Sequence, residues 1–451
     1  MITFSEAEEK RVIRKISLKI LPFIFLLYII AMIDRVNVGF AALTMNKELG
    51  IGASTFGLIA GIFFIAYFLF EVPSNVIMYK VGARTWIARI LITWGMVVMG
   101  EGFIQNAFQL GVLRVLLGVA EAGFYPAMIL YITYWFPGKH LARAVSYFML
   151  AVCGSNIIGG PISTWIMDNI NWLGMSGWRW VYILEGIPAI VLGIITLSIM
   201  IDKPEEAKFL TRKEKSWLLS ELQKEQQVKE KNAHAHTSTS YWEAFREPRV
   251  WHMGLCYMVY VMAMYGVGFW MPQMIKGLSK ILTSTQVGLL SAVPYIAASF
   301  VMILVARHSD KANERRFHVA LPILMTFVGL IALTMTSNLL LSMILLTVAL
   351  SGVYAFGGTF WSIPNLSLSA ASAAVGIAII NSVGNLGGFM GPYLVGWLLD
   401  WTGSTNAGMY MLAGCALAET LLILAIPKKL VTPPPAGIPR REESGEDDLM
   451  A

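Results

Sequence analysis

The stretch from Asp202-Lys203-Pro204-Glu205 to Arg246-Glu247-Pro248 decides how this chain is organised. It is the longest polar run in 451 residues, of which 56% are hydrophobic and 14% charged, with a mean hydropathy of +0.63. A soluble globular domain carries about 25% charged residues, so the composition is that of a polytopic membrane protein. A span needs about 20 mostly apolar residues, and six candidates lie on either side of the polar run. The first six fall at roughly 18–44, 54–79, 85–106, 108–136, 141–168 and 178–202. The second six fall at roughly 249–273, 285–306, 317–336, 338–362, 370–400 and 405–427. The expected architecture is all-α and integral to the membrane, with twelve transmembrane helices. They form two six-helix halves, 1–202 and 249–430, joined by a cytoplasmic loop at 203–248 and followed by a disordered tail at 431–451.

Within the loop, 211–231 is rich in Lys and Glu and reads as a surface helix. The segment 232–240 reads as a flexible linker; its His234 and His236 have no third ligand near enough for a metal site. The 40 Gly, 25 Met and 14 Trp suit packed helices with aromatic anchors at the interfaces. Cys153, Cys256 and Cys415 all lie in apolar runs, which excludes a disulfide framework and a Cys-based zinc site. The net charge of +6 does not indicate nucleic acid, because the basic residues fall in the loops. No cleavable signal peptide is visible: the first apolar stretch is too long and runs into polar residues.

Lys and Arg set the expected orientation. With both termini cytoplasmic, all but six of the 34 fall in cytoplasmic segments. Lys47, Arg179, Lys276 and Lys280 fall outside, and Arg35 and Arg114 lie within spans. This is a strong positive-inside bias. An internal repeat is also visible. Gly160-Pro161 and Gly391-Pro392 are 231 residues apart, and Tyr79 and Asp310, after spans 2 and 8, are separated by the same offset. Duplicated halves are a feature of one large transporter architecture.

Ionisable residues in hydrocarbon are costly and mark function by default. Span 1 holds Asp34-Arg35, and successive helix positions point about 100° apart, so the two need not pair with each other. Span 4 holds Arg114 and Glu121, seven residues or about two turns apart and therefore on one face. Burial favours the neutral form of a carboxyl, and a nearby guanidinium opposes that. Moving the Arg to a substrate carboxylate would then change proton affinity, which couples proton to anion. The plainer alternative is a set of static pairs tying span 1 to span 4. Tyr67, Asn156, Trp361, Asn381 and Asn385 are weaker candidates for contacting a substrate, because such residues also serve as helix-packing glue. Glu185 is expected to pair with Arg179 at the outer surface. Asp168, Asp400 and Glu101, at span ends, are expected to be solvated. Glu71 and Glu419 have no assignment from sequence.

At these residues the chain resembles the major facilitator superfamily, specifically its anion:cation symporter family. The motifs are Asp34-Arg35-Val36-Asn37-Val38-Gly39-Phe40-Ala41 and Glu71-Val72-Pro73-Ser74-Asn75. They continue with Val81-Gly82-Ala83-Arg84-Thr85-Trp86-Ile87, Leu113-Arg114 through Gly118, Ala120-Glu121-Ala122-Gly123-Phe124 with Pro126, and Trp135-Phe136-Pro137 with Arg143-Ala144. The pattern is similar to that of bacterial permeases for tartrate, phthalate, rhamnonate and 4-hydroxyphenylacetate. It is more distantly similar to D-galactonate transporters, sialin and the vesicular glutamate transporters.

The resemblance implies proton-coupled import of a small organic carboxylate by alternating access, without a cofactor or metal. It implies a monomer in the bacterial inner membrane. On the galactonate pattern Asp34 and Glu121 would carry protons, Arg35 would link proton and substrate sites, Arg114 would bias Glu121, and Tyr67 and Asn381 would contact substrate. Val152 stands where that pattern has a Gln, so the contact would shift to Asn156 or vanish. In the loop after span 2, Tyr79-Lys80 stands where the superfamily has Asp before a basic residue, leaving Gly82 and Arg84. The second copy keeps Ser309-Asp310-Lys311 with Arg315-Arg316. A lone carboxylate pair could serve sodium as well as protons. An exchanger or exporter of the same fold is the rival, since Gly-Pro in span 5 resembles part of an antiporter motif. A membrane nutrient sensor or a membrane-embedded enzyme has no nucleotide loop, His-rich site or Ser/His/Asp arrangement to support it.

Overall fold

The computed structural model describes residues 4–234, 245–279, 281–367 and 370–428. Residues 235–240 of the expected linker, and the expected tail at 431–451, lie outside them. All regular structure among the described residues is helical. The first group comprises α1 (Glu6–Glu48), α2 (Ala53–Val81), α3 (Ala83–Glu101), α4 (Ala107–Glu121), α5 (Phe124–Thr133), α6 (Gly138–Asn169) and α7 (Gly177–Ile199). A loop helix, α8 (Arg212–His234), follows. The second group comprises α9 (Pro248–Leu278), α10 (Ser284–Ala312), α11 (Arg316–Leu333), α12 (Leu339–Phe360), α13 (Ser362–Ser367), α14 (Ala370–Thr402) and α15 (Thr405–Ala425).

Ten of these segments are long and apolar enough to cross a membrane, α4 and α5 counting as one. The helices α3 and α14 stand where the sequence places spans 3 and 11. Span 4, expected as one helix, is broken. Ala122 is extended at φ −52° and ψ 129°, and Gly123 has φ 84°. A side chain is strained at that φ, and a Cβ on Gly123 would also stand 2.5 Å from Ser74 Oγ. Backbone breaks at membrane depth persist only where protein covers the freed groups. Here Ala122 N still donates to Gly118 O at 3.0 Å and Ala127 N to Gly123 O at 2.9 Å.

The two groups of spans meet along α2 with α14, α6 with α10, and α1 with α9. The Gly-Pro pairs of the repeat lie at close approaches. A Cβ on Gly288 of α10 would stand 2.6 Å from the Gly160 carbonyl oxygen, and one on Gly391 would strike the backbone of Met262. At the face opposite the chain termini, two carboxylates cross between the groups. Asp400, at the end of α14, accepts from Ala53 N (3.2 Å), Ser54 N (2.8 Å) and Ser54 Oγ (2.5 Å) at the start of α2. Asp168, at the end of α6, accepts from Thr285 N (2.6 Å) and Thr285 Oγ1 (2.8 Å) at the start of α10. Both carboxylates are exposed, as the sequence suggests, but each caps the N-terminus of a helix from the other group. There the backbone N–H groups and the helix dipole favour negative charge. Ser54 and Thr285 are separated by the same 231 residues as the Gly-Pro pairs.

At the face that carries the termini, α8 is docked rather than free. Trp217 stacks on Phe4 at 5.5 Å, Leu218 is fully buried, Lys15 Nζ lies 2.6 Å from Glu214 Oε1, and Gly138 N donates to Glu225 at 2.8 Å. Burial pushes the Glu214 carboxyl up, but the bonds from Lys15 and Thr211 outweigh it and hold the carboxyl below its usual range. Arg84, which lacks the usual Asp in its own loop, lies beside Asp202 from beyond α7: its backbone N donates to Oδ1 at 2.7 Å. In the second copy of this loop Arg315 pairs with Asp310 at 2.6 Å.

Neutralising both crossing carboxylates, Asp168→Asn with Asp400→Asn, removes a helix-dipole contribution of about 0.3–1 kcal/mol at each. In a cysteine-free background, spin labels at the exposed Phe108 and Met335 positions should then show a new population at longer distance. An unchanged distance distribution would mean that these carboxylates do not hold this face shut.

Candidate functional site

Asp34 and Arg35 lie side by side in α1 and diverge, as helix geometry requires. Asp34, 2% exposed, turns to α3, where Trp94 Nε1 donates to its Oδ2 at 2.7 Å. Its Oδ1 has no hydrogen-bond partner among the described residues. Arg35 turns to α4 and forms an ion pair with Glu121, itself 1% exposed. The Arg35 guanidinium lies 5.2 Å from the Phe63 ring centroid and 5.4 Å from that of Tyr67. Cations within about 6 Å of an aromatic ring are attracted by its face, so α2 supplies a second support for the same charge. Tyr28 and Tyr265 also lie within electrostatic reach of Arg35. Tyr265 belongs to α9, so the second group of spans reaches this centre. The break at Gly123 leaves Glu121 in the last turn of α4, next to Ala120, whose carbonyl accepts from Arg89 at 3.3 Å.

Arg114, expected beside Glu121, makes its ion pair elsewhere. Its Nη2 lies 2.9 Å from Glu101 Oε2 and 3.5 Å from Asn37 Oδ1. Asn37 Nδ2 in turn donates to Glu185 Oε2 at 3.1 Å. A chain of buried polar groups thus links α3, α4, α1, α7 and, through Ser163, α6. This corrects two expectations. Glu101 is fully buried instead of solvated, because it ends α3 against Arg114. Glu185 does not pair with Arg179. That arginine lies near the rim opposite the chain termini, where it pairs with Glu48 at 3.3 Å and donates to the carbonyls of Gly102 (3.2 Å) and Ile104 (2.7 Å). Glu185 lies two turns deeper on the same helix and faces inward.

The other candidates are dispersed. Tyr67 is beside Arg35. Asn156 is buried, but its Nδ2 donates to the Val152 carbonyl of its own helix at 2.7 Å. Trp361 ends α12 with its ring 4.8 Å from that of Tyr257. Asn381 and Asn385 lie one turn apart on α14 and are partly buried, and Asn385 Nδ2 has no partner among the described residues. Glu71 is partly buried on α2, within electrostatic reach of Arg35. Glu419 is fully buried on α15, and neither of its oxygens has a partner among the described residues. Among those residues no group of three or more His, Cys, Asp or Glu is placed to hold a metal ion.

Removing one partner of a buried ion pair leaves the other charge uncompensated, at about 3–5 kcal/mol. Glu101→Gln should therefore lower the melting temperature of the purified protein sharply. Glu48→Gln should cost less, because that carboxylate is 37% exposed and Arg179 keeps two carbonyl acceptors. Equal melting temperatures for the two variants would contradict the account of Arg114.

Comparison with known proteins agrees with this architecture. A "Putative tartrate transporter" from Agrobacterium vitis is 46% identical over 418 residues, 93% of this chain and 95% of that protein. A "Quinolone resistance transporter" from Acinetobacter baumannii is 36% identical over 425 residues, 94% of this chain and 96% of that protein. The crystal structure of a bacterial homologue of the human lysosomal transporter Spinster shares the fold. Its TM-score is 0.70 at 16% identity, covering 90% of this chain and 94% of that one. The model of the Major Facilitator Superfamily matches residues 24–392, and the chain belongs to that superfamily.

Proposed function

We propose that this protein imports a small organic carboxylate, a sugar acid, dicarboxylate or aromatic acid, by proton symport with alternating access. The family and the relatives are transporters rather than enzymes, and the relative named for tartrate supports an organic anion as cargo. The observation that carries the proton reading is the Arg35–Glu121 pair, held under Phe63 and Tyr67. A substrate carboxylate competes with Glu121 for the Arg35 guanidinium, which suits planar, bidentate recognition. When the substrate wins, Glu121 is left in an apolar setting without its counter-charge, where only the protonated form is cheap. Binding of the anion and uptake of a proton are then one event.

In this reading Asp34 and Glu121 carry protons, and Arg35 with Tyr67 holds the anion. Asn156, Trp361, Asn381 and Asn385 shape specificity from the facing helices. Arg114 acts on the pair from a distance, through the polar chain of Asn37. The loops at Gly82-Arg84 and Asp310-Arg315 take part in gating. Both termini are cytoplasmic, so the face closed by Asp168 and Asp400 is the outer one. The protein works as a monomer in the inner membrane.

Purified protein in proteoliposomes with an inward proton gradient would be screened with tartrate, galactonate, glucarate, rhamnonate, phthalate and 4-hydroxyphenylacetate. One acid should accumulate. Glu121→Gln should retain exchange of that acid between preloaded vesicles and medium but lose gradient-driven accumulation. Accumulation by this variant at the wild-type level would contradict the proton role of Glu121. A second reading, an exchanger or exporter, is favoured by the similarity to a quinolone resistance transporter. It predicts accumulation only into vesicles preloaded with a counter-substrate.

A further inference from the structure

Four carboxyls and two guanidiniums are buried together in the first group of spans. Asp34, Glu101, Glu121, Glu185 and Arg114 are each less than a tenth exposed, and the Arg35 side chain is 13% exposed. Arg35 is taken by Glu121, and Arg114 by Glu101. Among the described residues Asp34 and Glu185 have no cationic partner, and an unpaired ionised carboxylate in such a place costs far more than a neutral acid.

The hydrogen bonds around Glu185 locate the proton. Ser163 Oγ stands 2.8 Å from the Gly159 carbonyl oxygen and 2.6 Å from Glu185 Oε1. A serine hydroxyl has one hydrogen, and a carbonyl can only accept. If Ser163 donates to Gly159, as helical serines do to the preceding turn, the short contact to Glu185 needs a hydrogen on Oε1. The other oxygen is then a carbonyl that accepts from Asn37 Nδ2 at 3.1 Å. The orientation of Asn37 follows from the same inventory: its Oδ1 faces Arg114, which can only donate, so its Nδ2 must face Glu185. A protonated Glu185 satisfies every contact in the group, whereas an ionised one leaves Ser163 with one hydrogen for two acceptors.

We propose that Glu185 is a further proton-binding site of this transporter, separate from the Arg35–Glu121 pair and joined to Arg114 through the amide of Asn37. The ligand is the proton itself. Ionised Glu185 would draw Arg114 through Asn37, which already shares that guanidinium with Glu101 at 3.5 Å against 2.9 Å. The groups that face Glu185 are Asp34 and Asn37 from α1 and Ser163 from α6. Arg114 lies beyond Asn37, and Tyr182 lies one turn away on the same helix. Arg179, the nearest base in sequence, is held by Glu48. This inference rests on the proton-symport reading for its place in transport, but not for the binding of the proton.

The test uses protons alone. Wild-type protein in lipid nanodiscs is titrated from alkaline to acidic pH while the carbonyl stretch of protonated carboxyls is followed by infrared difference spectroscopy. Glu185→Gln mimics the neutral acid in shape and hydrogen bonding and should lose one titrating component. Asn37→Leu, which removes the donor to Glu185, should shift that component to higher frequency. Glu48→Gln, at the rim, should leave it in place. A Glu185→Gln titration superimposable on wild type would overturn the proposal, because Glu185 would then be a permanently neutral acid. The two readings fail separately. Loss of the component together with wild-type transport that moves no protons would keep the site and sink the symport reading. Proton-coupled wild-type transport with an unchanged Glu185→Gln titration would do the reverse.

Discussion

Charge held in a medium that does not solvate it is the constraint on which this structure turns. The first group of spans buries the guanidiniums of Arg114, Arg179 and, in large part, Arg35 together with four carboxyls, and each guanidinium takes one carboxylate. Arg114 with Glu101 joins α4 to α3, and Arg35 with Glu121 joins α1 to α4. These pairs fix how the helices pack, since breaking one leaves an uncompensated charge. They also differ in setting. Arg114–Glu101 is sealed, with side-chain exposures of 2% and 0%, whereas Arg35 keeps 13% and lies against the rings of Phe63 and Tyr67, with Tyr265 in electrostatic reach. The second pair is the one a solute could rearrange, and the transport proposal therefore rests on it.

The duplicated halves bear on the same question from outside the site. The clasps formed by Asp400 on Ser54 and by Asp168 on Thr285 are related by the 231-residue offset that also relates the Gly-Pro pairs. Each is a polar contact at an exposed rim, which costs little to break. The close approaches just beneath them, Gly288 on Gly160 and Gly57 on Pro392, bring backbones of the two groups together without side-chain interdigitation. Shallow, symmetric contacts of this kind suit a face that must open and close repeatedly.

Much of this was legible in the sequence. Twelve apolar runs split by one polar stretch gave the helices, because lipid leaves the backbone few alternatives. Asp34, Arg35, Arg114 and Glu121 stood out because charge inside an apolar run has no bland explanation. What the sequence did not reveal was pairing. Arg114 and Glu121 share a helix face, yet their partners come from α3 and α1, and helix register alone says nothing about neighbours. Glu101 and Glu185 lie elsewhere than their sequence context implies, for a related reason. Each lies near an expected span end, where solvent is the default, and Arg179 was the nearest base to Glu185 along the chain. Glu48 and two carbonyls claim that arginine, which turns Glu185 toward Asn37 instead. The break after Glu121 had a signal in Gly123, though Gly118 and Gly123 look alike in a sequence and only the φ of the second is positive.

The central claim is that an anion and a proton compete through one guanidinium. It is tested most directly by adding the transported acid to wild-type protein in weakly buffered detergent solution and recording pH as binding proceeds. The account predicts proton uptake by the protein that saturates together with binding, and is abolished by Glu121→Gln. Saturable binding with no change in pH would contradict it, and would leave Arg35–Glu121 as a fixed link between two helices.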